Sequence, residues 1–308
     1  MAVSAIHRWT DRPPCSSIFP GENITDMDLS LIICTRDRCE KLAQCLESVR
    51  GLGFERQWEL IVVDNGSADR TVAIVEDFAR TFWVPTRYVF EPSPGLGNAR
   101  NAGLKIACGE ILAFTDDDCY PASDFLQHIW SAFSDPGLGY ISGRITLHDP
   151  ADFPITVNVS TTPLIFAPRS FIHVGAVQGA NIAFRREVLL EIGGFDPLFG
   201  AGSLFAAEDL DAAARASAAG WKGEYRPEVV VSHHHGRKAA DAARLKKSYG
   251  IGAGAYHMKL LLRGRKFSWF VRSLTEVDRR FKLSKIMVLW EPVGAAKYAY
   301  FYVTGRCV

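Results

Sequence analysis

The sequence predicts an α/β fold, with a mostly parallel central sheet flanked by helices and a basic, mainly helical C-terminal appendage. Three observations carry this. From Asp28 onward, short apolar runs alternate with stretches of helical periodicity, the pattern of strands joined by crossover helices. One of those runs, Ile111-Leu-Ala-Phe-Thr, ends abruptly in three carboxylates, Asp116, Asp117 and Asp118. The charge then changes sign near residue 237: residues 1–236 carry 19 Lys+Arg and 30 Asp+Glu, residues 237–308 carry 16 and 4. At 308 residues and 48% apolar, the chain is long enough to bury a full core as one large domain or a domain plus an appendage.

Leu29–Cys34 reads as the first strand and Arg38–Arg50 as a helix with Leu42, Cys45, Leu46 and Val49 on one face. Leu60–Val63 is a second strand ending at Asp64, and Asp69–Arg80 a helix. Thr86–Phe90 is a third strand, Gly97–Cys108 a helix and Ile111–Thr115 a fourth strand. These strands are almost wholly apolar, as expected where both faces are covered. Phe125–Phe133 reads as a helix, Gly139–Leu147 as a longer strand and Asp149–Arg169 as irregular. Glu187–Ile192 and the Ala-rich Ala207–Gly220 read as helices, and Glu228–Val231 as a last strand before Ser232-His233-His234-His235. Ala239–Leu262 has helical character broken by Gly250, Gly252 and Gly254.

Ligands of such sheets bind beyond the carboxyl ends of the strands. Asp37, Asp64 and Asp116–Asp118 therefore share one rim. Three adjacent carboxylates repel one another, and a divalent cation relieves that repulsion. Hard oxygen ligands suit Mg²⁺ or Mn²⁺, and those ions suit a phosphate-bearing substrate. Taken alone, the cluster could equally be a solvated acidic turn.

Seven cysteines without a CxxC pair give neither a zinc module nor a disulfide framework, and are read as reduced thiols. Residues 1–27 contain Pro13, Pro14 and Pro20 and no continuous apolar stretch, so they are read as a loose leader rather than a signal peptide. The expected location is cytoplasmic.

The order of motifs is more specific than any one of them. Asp64-Asn65-Gly66-Ser67-Ala68-Asp69 follows the second strand, and Gly95-Leu-Gly-Asn-Ala-Arg100-Asn101-Ala-Gly103 opens the helix before the acidic cluster. Gly193-Gly194-Phe195-Asp196 and Glu208-Asp209 follow it. In this arrangement Asp28–His235 resembles the family 2 glycosyltransferases, inverting enzymes of the GT-A nucleotide-diphospho-sugar transferase fold. The resemblance implies a GT-A domain over 28–236 and a separate C-terminal region over 237–308.

It also implies roles. Thr35 and Asp37 would lie around the nucleotide base. Asp64 would accept a hydrogen bond from a base imide, a contact most natural for uracil, while its own sequence context also suits an Asx-turn. Arg100 would sit near the diphosphate or base, Asp116 by the ribose, and Asp117 turned aside or hydrogen-bonded. Asp118 would hold Mg²⁺ or Mn²⁺ together with His233, or with His235 as the alternative. Asp209 would be the general base that takes the acceptor hydroxyl proton. Gly179, Asn181 and the 193–196 turn would line the acceptor side.

The implied function is metal-dependent transfer from a nucleotide-sugar donor, with a UDP-sugar favoured, to a saccharide or lipid-linked hydroxyl acceptor in polysaccharide or glycolipid assembly. A catalytically silent sugar-nucleotide-binding scaffold is the reading from another class. A sugar-phosphate nucleotidyltransferase is disfavoured by Thr35-Arg36-Asp37-Arg38, where a glycine-rich phosphate loop would be expected. In the basic tail, Arg263, Arg265 and Lys266 stand beside Phe267, Trp269 and Phe270, which suggests peripheral contact with an anionic membrane at its inner face. Packing of these aromatics on the catalytic domain is the alternative. Ile286–Val303 contains Glu291, Pro292 and Lys297, too polar for a spanning helix. No nucleic-acid motif accompanies the charge, so no nucleic-acid partner is expected.

Overall fold

The computed structural model describes residues 27–263, 268 and 285–306. The expected leader, apart from Met27, and the Arg265–Phe270 aromatic cluster lie outside the described residues, Ser268 excepted.

Strands β1 (Leu29–Thr35), β2 (Trp58–Asp64), β3 (Thr86–Phe90) and β4 (Ile111–Asp116) are joined by helices α1 (Cys39–Arg50), α2 (Thr71–Thr81) and α3 (Leu96–Ile106). There follow β5 (Cys119–Pro121), α4 (Phe125–Ala132), β6 (Leu138–Leu147), β7 (Leu164–Phe166), β8 (Asn181–Arg185), α5 (Arg186–Glu191), α6 (Glu208–Ala219) and β9 (Lys222–His233). A short 3₁₀ turn (Ala239–Asp241) leads into α7 (Ala242–Leu262), and α8 (Lys285–Thr304) comes last. The sheet order is β3-β2-β1-β4-β8-β6-β9-β5, with β7 paired to β9.

The mostly parallel sheet also takes in antiparallel strands that the expectation did not place. β1 to β4 pair in parallel, as does β6 with β9, but β8 runs antiparallel to both β4 and β6, and β5 and β7 run antiparallel to β9. A parallel return needs a crossover, usually a helix. Residues 148–180 form none, so β8 comes back antiparallel beside β4. β9 also starts six residues earlier than expected. Its first half alternates Lys222, Glu224 and Arg226 with other residues, and Pro227 falls in the register jump between Arg226 and Val230.

Strand alternation divides the core between the two faces of the sheet. Leu31, Ile33, Leu60 and Val62 pack with Leu42, Leu46 and Val49 of α1 on one face. Ile32, Ile61, Val63, Leu112 and Phe114 turn to the other, where α3 and α6 pack. Register sets the rim: Thr35 stands opposite Asp64, and Cys34 opposite Asp116.

On that second face, Ala255, Tyr256 and Leu260 of α7 and Tyr298 of α8 join the same cluster as Ile32 and Phe114. The Tyr256 hydroxyl donates to the Ile172 carbonyl at 2.9 Å. Lys259 of α7 pairs with Asp196 at 2.7 Å and with Asp211 of α6 at 2.5 Å. The described part of the basic tail thus packs on the sheet domain, and Lys247 lies over the Trp290 ring, 3.9 Å from its centroid.

The glycines of α7 do not break it, contrary to expectation. A Cβ on Gly254 would stand 1.8 Å from the Glu291 carbonyl oxygen, and one on Gly294 1.9 Å from that of Ile251. They are the points at which α7 and α8 touch backbone to backbone, and this packing outweighs their poor helix propensity. No described helix is long and apolar enough to cross a membrane. Cys34, Cys39, Cys45 and Cys119 are free, as reduced thiols would be.

Candidate active site

Beyond the carboxyl ends of β1 and β4 lies an open cleft of about 1100 Å³. Its wall brings together Thr35, Arg100, Asp116, Asp117, Asp118, Asp209 and His233, residues that span nearly 200 positions of sequence. Asp37 and Asp64 are not on that wall. Asp37 instead ties two rim loops together, its Oδ1 accepting the Ala68 N–H at 2.7 Å while its own N–H donates to Ser67 Oγ at 2.9 Å. Asp64 is buried, with Oδ1 accepting the Ser67 N–H at 2.7 Å, an Asx-turn, and Oδ2 accepting the Tyr88 hydroxyl at 2.8 Å.

The three carboxylates at the tip of β4 differ in environment. Asp116 is the accessible one, its Oδ1 3.6 Å from Arg100 Nη2. Asp117 is buried: Oδ2 accepts the Thr35 hydroxyl at 2.7 Å and Oδ1 faces Arg38 Nη1 at 2.9 Å. Burial pushes its carboxyl up to about 7 against the pull of Arg38. Asp118 is also buried, yet the His233 hydrogen bond and the charges of His233 and Arg38 outweigh desolvation and hold it well below the usual carboxylate range.

His233, the last residue of β9 rather than a loop residue beyond it, sets Nε2 3.2 Å from Asp118 Oδ1. Its Nδ1 is 3.3 Å from the Thr156 carbonyl oxygen. His235 is turned elsewhere, with Nδ1 accepting the Arg237 N–H at 3.0 Å. Ligand atoms of Asp116, Asp118, Cys119 and His233 all lie within 4.8 Å of one another. A soft thiol is a poor ligand for a hard Mg²⁺ or Mn²⁺ ion. Two carboxylates and an imidazole remain, a donor set that fits Mg²⁺ or Mn²⁺.

Across the cleft, Glu208 and Asp209 open α6. The preceding Ala207 has φ 90°, a left-handed conformation costly for a residue with a Cβ, and it sets the helix N-terminus at this spot. Asp209 Oδ2 accepts the Gly179 N–H at 2.6 Å, and Oδ1 accepts the Leu210 N–H at 2.7 Å. Burial raises both carboxyls, Glu208 to about 7 with Asp209 as the second cause. Arg100 is fully buried between them and the β4 tip, donating to Glu208 Oε1 at 2.9 Å and to the Gly179 carbonyl at 3.1 Å. Its charge is therefore shared by Glu208 and Asp116.

Asn181 is structural, its amide donating to the carbonyls of Arg144 at 3.0 Å and Val229 at 2.9 Å. Arg38, which donates to both Asp117 and Asp118, escaped the sequence reading. The signal was available, since three adjacent carboxylates require a counter-charge and Arg38 begins the helix after β1. The cleft wall supplied by Arg237, Lys246 and Tyr249 could not be foreseen without knowing that α7 folds back.

An α/β sheet with an acidic cluster beyond its first and fourth strands, faced by a second acid pair, is the architecture of a nucleotide-sugar transferase. The model of glycosyl transferase family 2 matches residues 30–193, and the chain belongs to that family. It is a glycosyltransferase with the GT-A fold. It is 25% identical over 234 residues to glycosyltransferase AglE of Haloferax volcanii, covering 76% of this chain and 74% of that one. It is 26% identical over 307 residues to the O-antigen chain rhamnosyltransferase RfbN of Salmonella typhimurium, covering 89% and 94%. The mannosyltransferase PcManGT of Pyrobaculum calidifontis, solved with GDP-Man and Mn²⁺, superimposes with a TM-score of 0.63 at 23% identity, over 97% of this chain and 81% of that one, a likeness of fold.

Proposed function

We propose that this glycosyltransferase is metal-dependent and inverting, and that it moves a sugar from a nucleoside-diphosphate donor to a hydroxyl acceptor in polysaccharide or glycolipid assembly. The observation that carries this reading is the pairing, across one cleft, of a metal-competent set (Asp116, Asp118, His233) with an acid pair (Glu208, Asp209). A Mg²⁺ or Mn²⁺ ion held by the first set would offset charge on the departing diphosphate.

The second set addresses the acceptor. Asp209 is the base: two backbone N–H donors fix its carboxylate and leave lone pairs for the acceptor O–H. Glu208, tied to Arg100, links the acid pair to Asp116, so the donor and acceptor ends are positioned by one buried guanidinium. Thr35 positions Asp117 and thereby the acidic tip.

RfbN is an O-antigen chain rhamnosyltransferase, which supports a saccharide or lipid-linked acceptor. The sequence favours a UDP-sugar, whereas PcManGT holds GDP-Man, so both nucleotides belong in the first trial. Contact with an anionic membrane is the finer part of the reading. What speaks for it is the charge of residues 237–308, 16 Lys+Arg against 4 Asp+Glu.

The test is donor turnover with UDP- and GDP-sugars, with and without Mn²⁺, for the parent and Asp209→Asn. The reading expects one nucleotide class to be turned over only with metal, and turnover to collapse in the variant. Metal-independent turnover, or a fully active Asp209→Asn, would contradict it.

A further inference from the structure

The cations of the cleft fall into two groups. Arg36, Arg38 and Arg100 are each matched to carboxylates. On the wall formed by α7 and the segment before it, Arg237 and Lys246 also line the cleft, both half-buried, yet neither has a carboxylate within ion-pair distance among the described residues. A partly buried cation without a carboxylate partner is available to an anionic ligand.

The surroundings are built. The Phe153 N–H donates to the Arg237 carbonyl at 2.8 Å, and the neighbouring Gly236 N–H donates to Asp152 Oδ2 at 2.8 Å. Arg237 N–H donates to His235 Nδ1 at 3.0 Å, so the backbone at Arg237 is fixed from both sides. Its Nη1 points to the Tyr249 hydroxyl, 3.4 Å away, and Tyr249 lines the same cleft. Lys246 Nζ stands 5.3 Å from the centre of the Phe153 ring, a contact that orients the ammonium without neutralising it.

We propose that Arg237, Lys246 and Tyr249 form a binding site for a phosphoryl group carried by the acceptor. A guanidinium fork, an ammonium and a hydroxyl supply donors for several oxygens of one tetrahedral anion. The acidic centre cannot take that anion without metal. This inference rests on the glycosyltransferase reading above, because it assigns the α7 wall to the acceptor and the β4 tip to the donor.

The test is a thermal-shift titration of the full chain with inorganic phosphate at constant ionic strength, in Mg²⁺, with and without saturating nucleoside diphosphate. The variants are Arg237→Gln, Lys246→Gln, the double substitution and Lys247→Gln. Phosphate should raise Tm in the parent and in Lys247→Gln, with or without nucleotide, and the double variant should need at least tenfold more phosphate. Lys246→Gln alone, which removes a side chain that makes no ion pair among the described residues, should show part of that loss even if Arg237 variants fold poorly.

Absence of a phosphate response, a response equal in Lys246→Gln and the double variant to that of the parent, or full displacement by nucleotide would overturn the proposal. Displacement would assign the cations to the donor diphosphate. A nucleotide shift without a phosphate shift would sink this inference alone, whereas loss of the nucleotide shift would sink the reading on which it rests. Citronellyl phosphate and glucose 1-phosphate, run in parallel, separate a lipid-borne from a sugar-borne phosphate by which binds more tightly.

Discussion

Arg38 Nη2 lies 2.5 Å from Asp118 Oδ2, and the other Asp118 oxygen faces His233 at 3.2 Å. Each Asp118 oxygen thus already faces one cationic or hydrogen-bonding side chain of this chain. A divalent ion bound at Oδ2 would compete with the Arg38 guanidinium for that oxygen.

Arg38→Met should therefore bind Mn²⁺ more tightly than the parent in the absence of nucleotide, by about tenfold, since a fixed positive charge near the ligand set is removed. Titration followed by the loss of free-Mn²⁺ electron paramagnetic resonance signal measures this directly. Weaker binding in the variant would show that Arg38 organises the ligands rather than competing for them.

Asp117 carries a pH dependence of its own. Burial raises its carboxyl to about 7, whereas in an unfolded chain an aspartate ionises near 4. Between those values the folded protein binds the extra proton, so the contribution of Asp117 to stability is full at low pH and is lost as pH rises through 7. Asp117→Asn, which keeps a partner for Thr35, should remove that loss. In metal-free buffer its Tm relative to the parent should climb from pH 5 to pH 8, and a difference that stays constant across that range would refute the assignment.

Asp209→Asn should lower turnover by about 10²- to 10⁴-fold, the usual contribution of a general base, and leave nucleotide binding unchanged. The amide keeps the shape of the side chain but only one of its two backbone hydrogen bonds, so donor affinity is measured beside turnover to separate loss of the base from loss of positioning. Equal losses in donor affinity and turnover would mean that Asp209 holds the donor instead.

The α7–α8 contact is a packing prediction. Gly254→Ala places a methyl where the Glu291 carbonyl oxygen is 1.8 Å away, and the helices must separate to admit it. Overpacking of this kind costs about 1–3 kcal/mol. Urea unfolding should show the loss, while Gly53→Ala, where the nearest atom to the Cβ is the Ser123 carbonyl oxygen at 3.7 Å, should show far less.

The first half of the fold was legible because its signals are local. Leu31, Ile33, Leu60 and Val62 form apolar runs of strand length, and Asp64 and Asp116 mark their ends by the switch from apolar to charged. β8 and the first half of β9 were harder to read, since their direction depends on the absence of a crossover helix in 148–180 and on a register jump at Pro227. In the site, the acidic cluster and the Glu208-Asp209 pair announce themselves by adjacency. The ties that organise them, Arg38 to Asp118 over 80 positions and Arg100 to Glu208 over 108, are contacts that only the fold creates. The α7 glycines misled for the same reason: helix-breaking is a local property, and Gly254 answers to Glu291, which approaches from another helix.

The central claim is that Asp118 holds a divalent ion on which the donor diphosphate depends. The most direct measurement is calorimetric binding of UDP and GDP to the parent and to Asp118→Ala, each with and without Mn²⁺. The account predicts that one nucleotide binds the parent at least tenfold more tightly with Mn²⁺ than without, and that this gain vanishes in the variant. Nucleotide binding that is indifferent to Mn²⁺, or a gain that survives in Asp118→Ala, would contradict it.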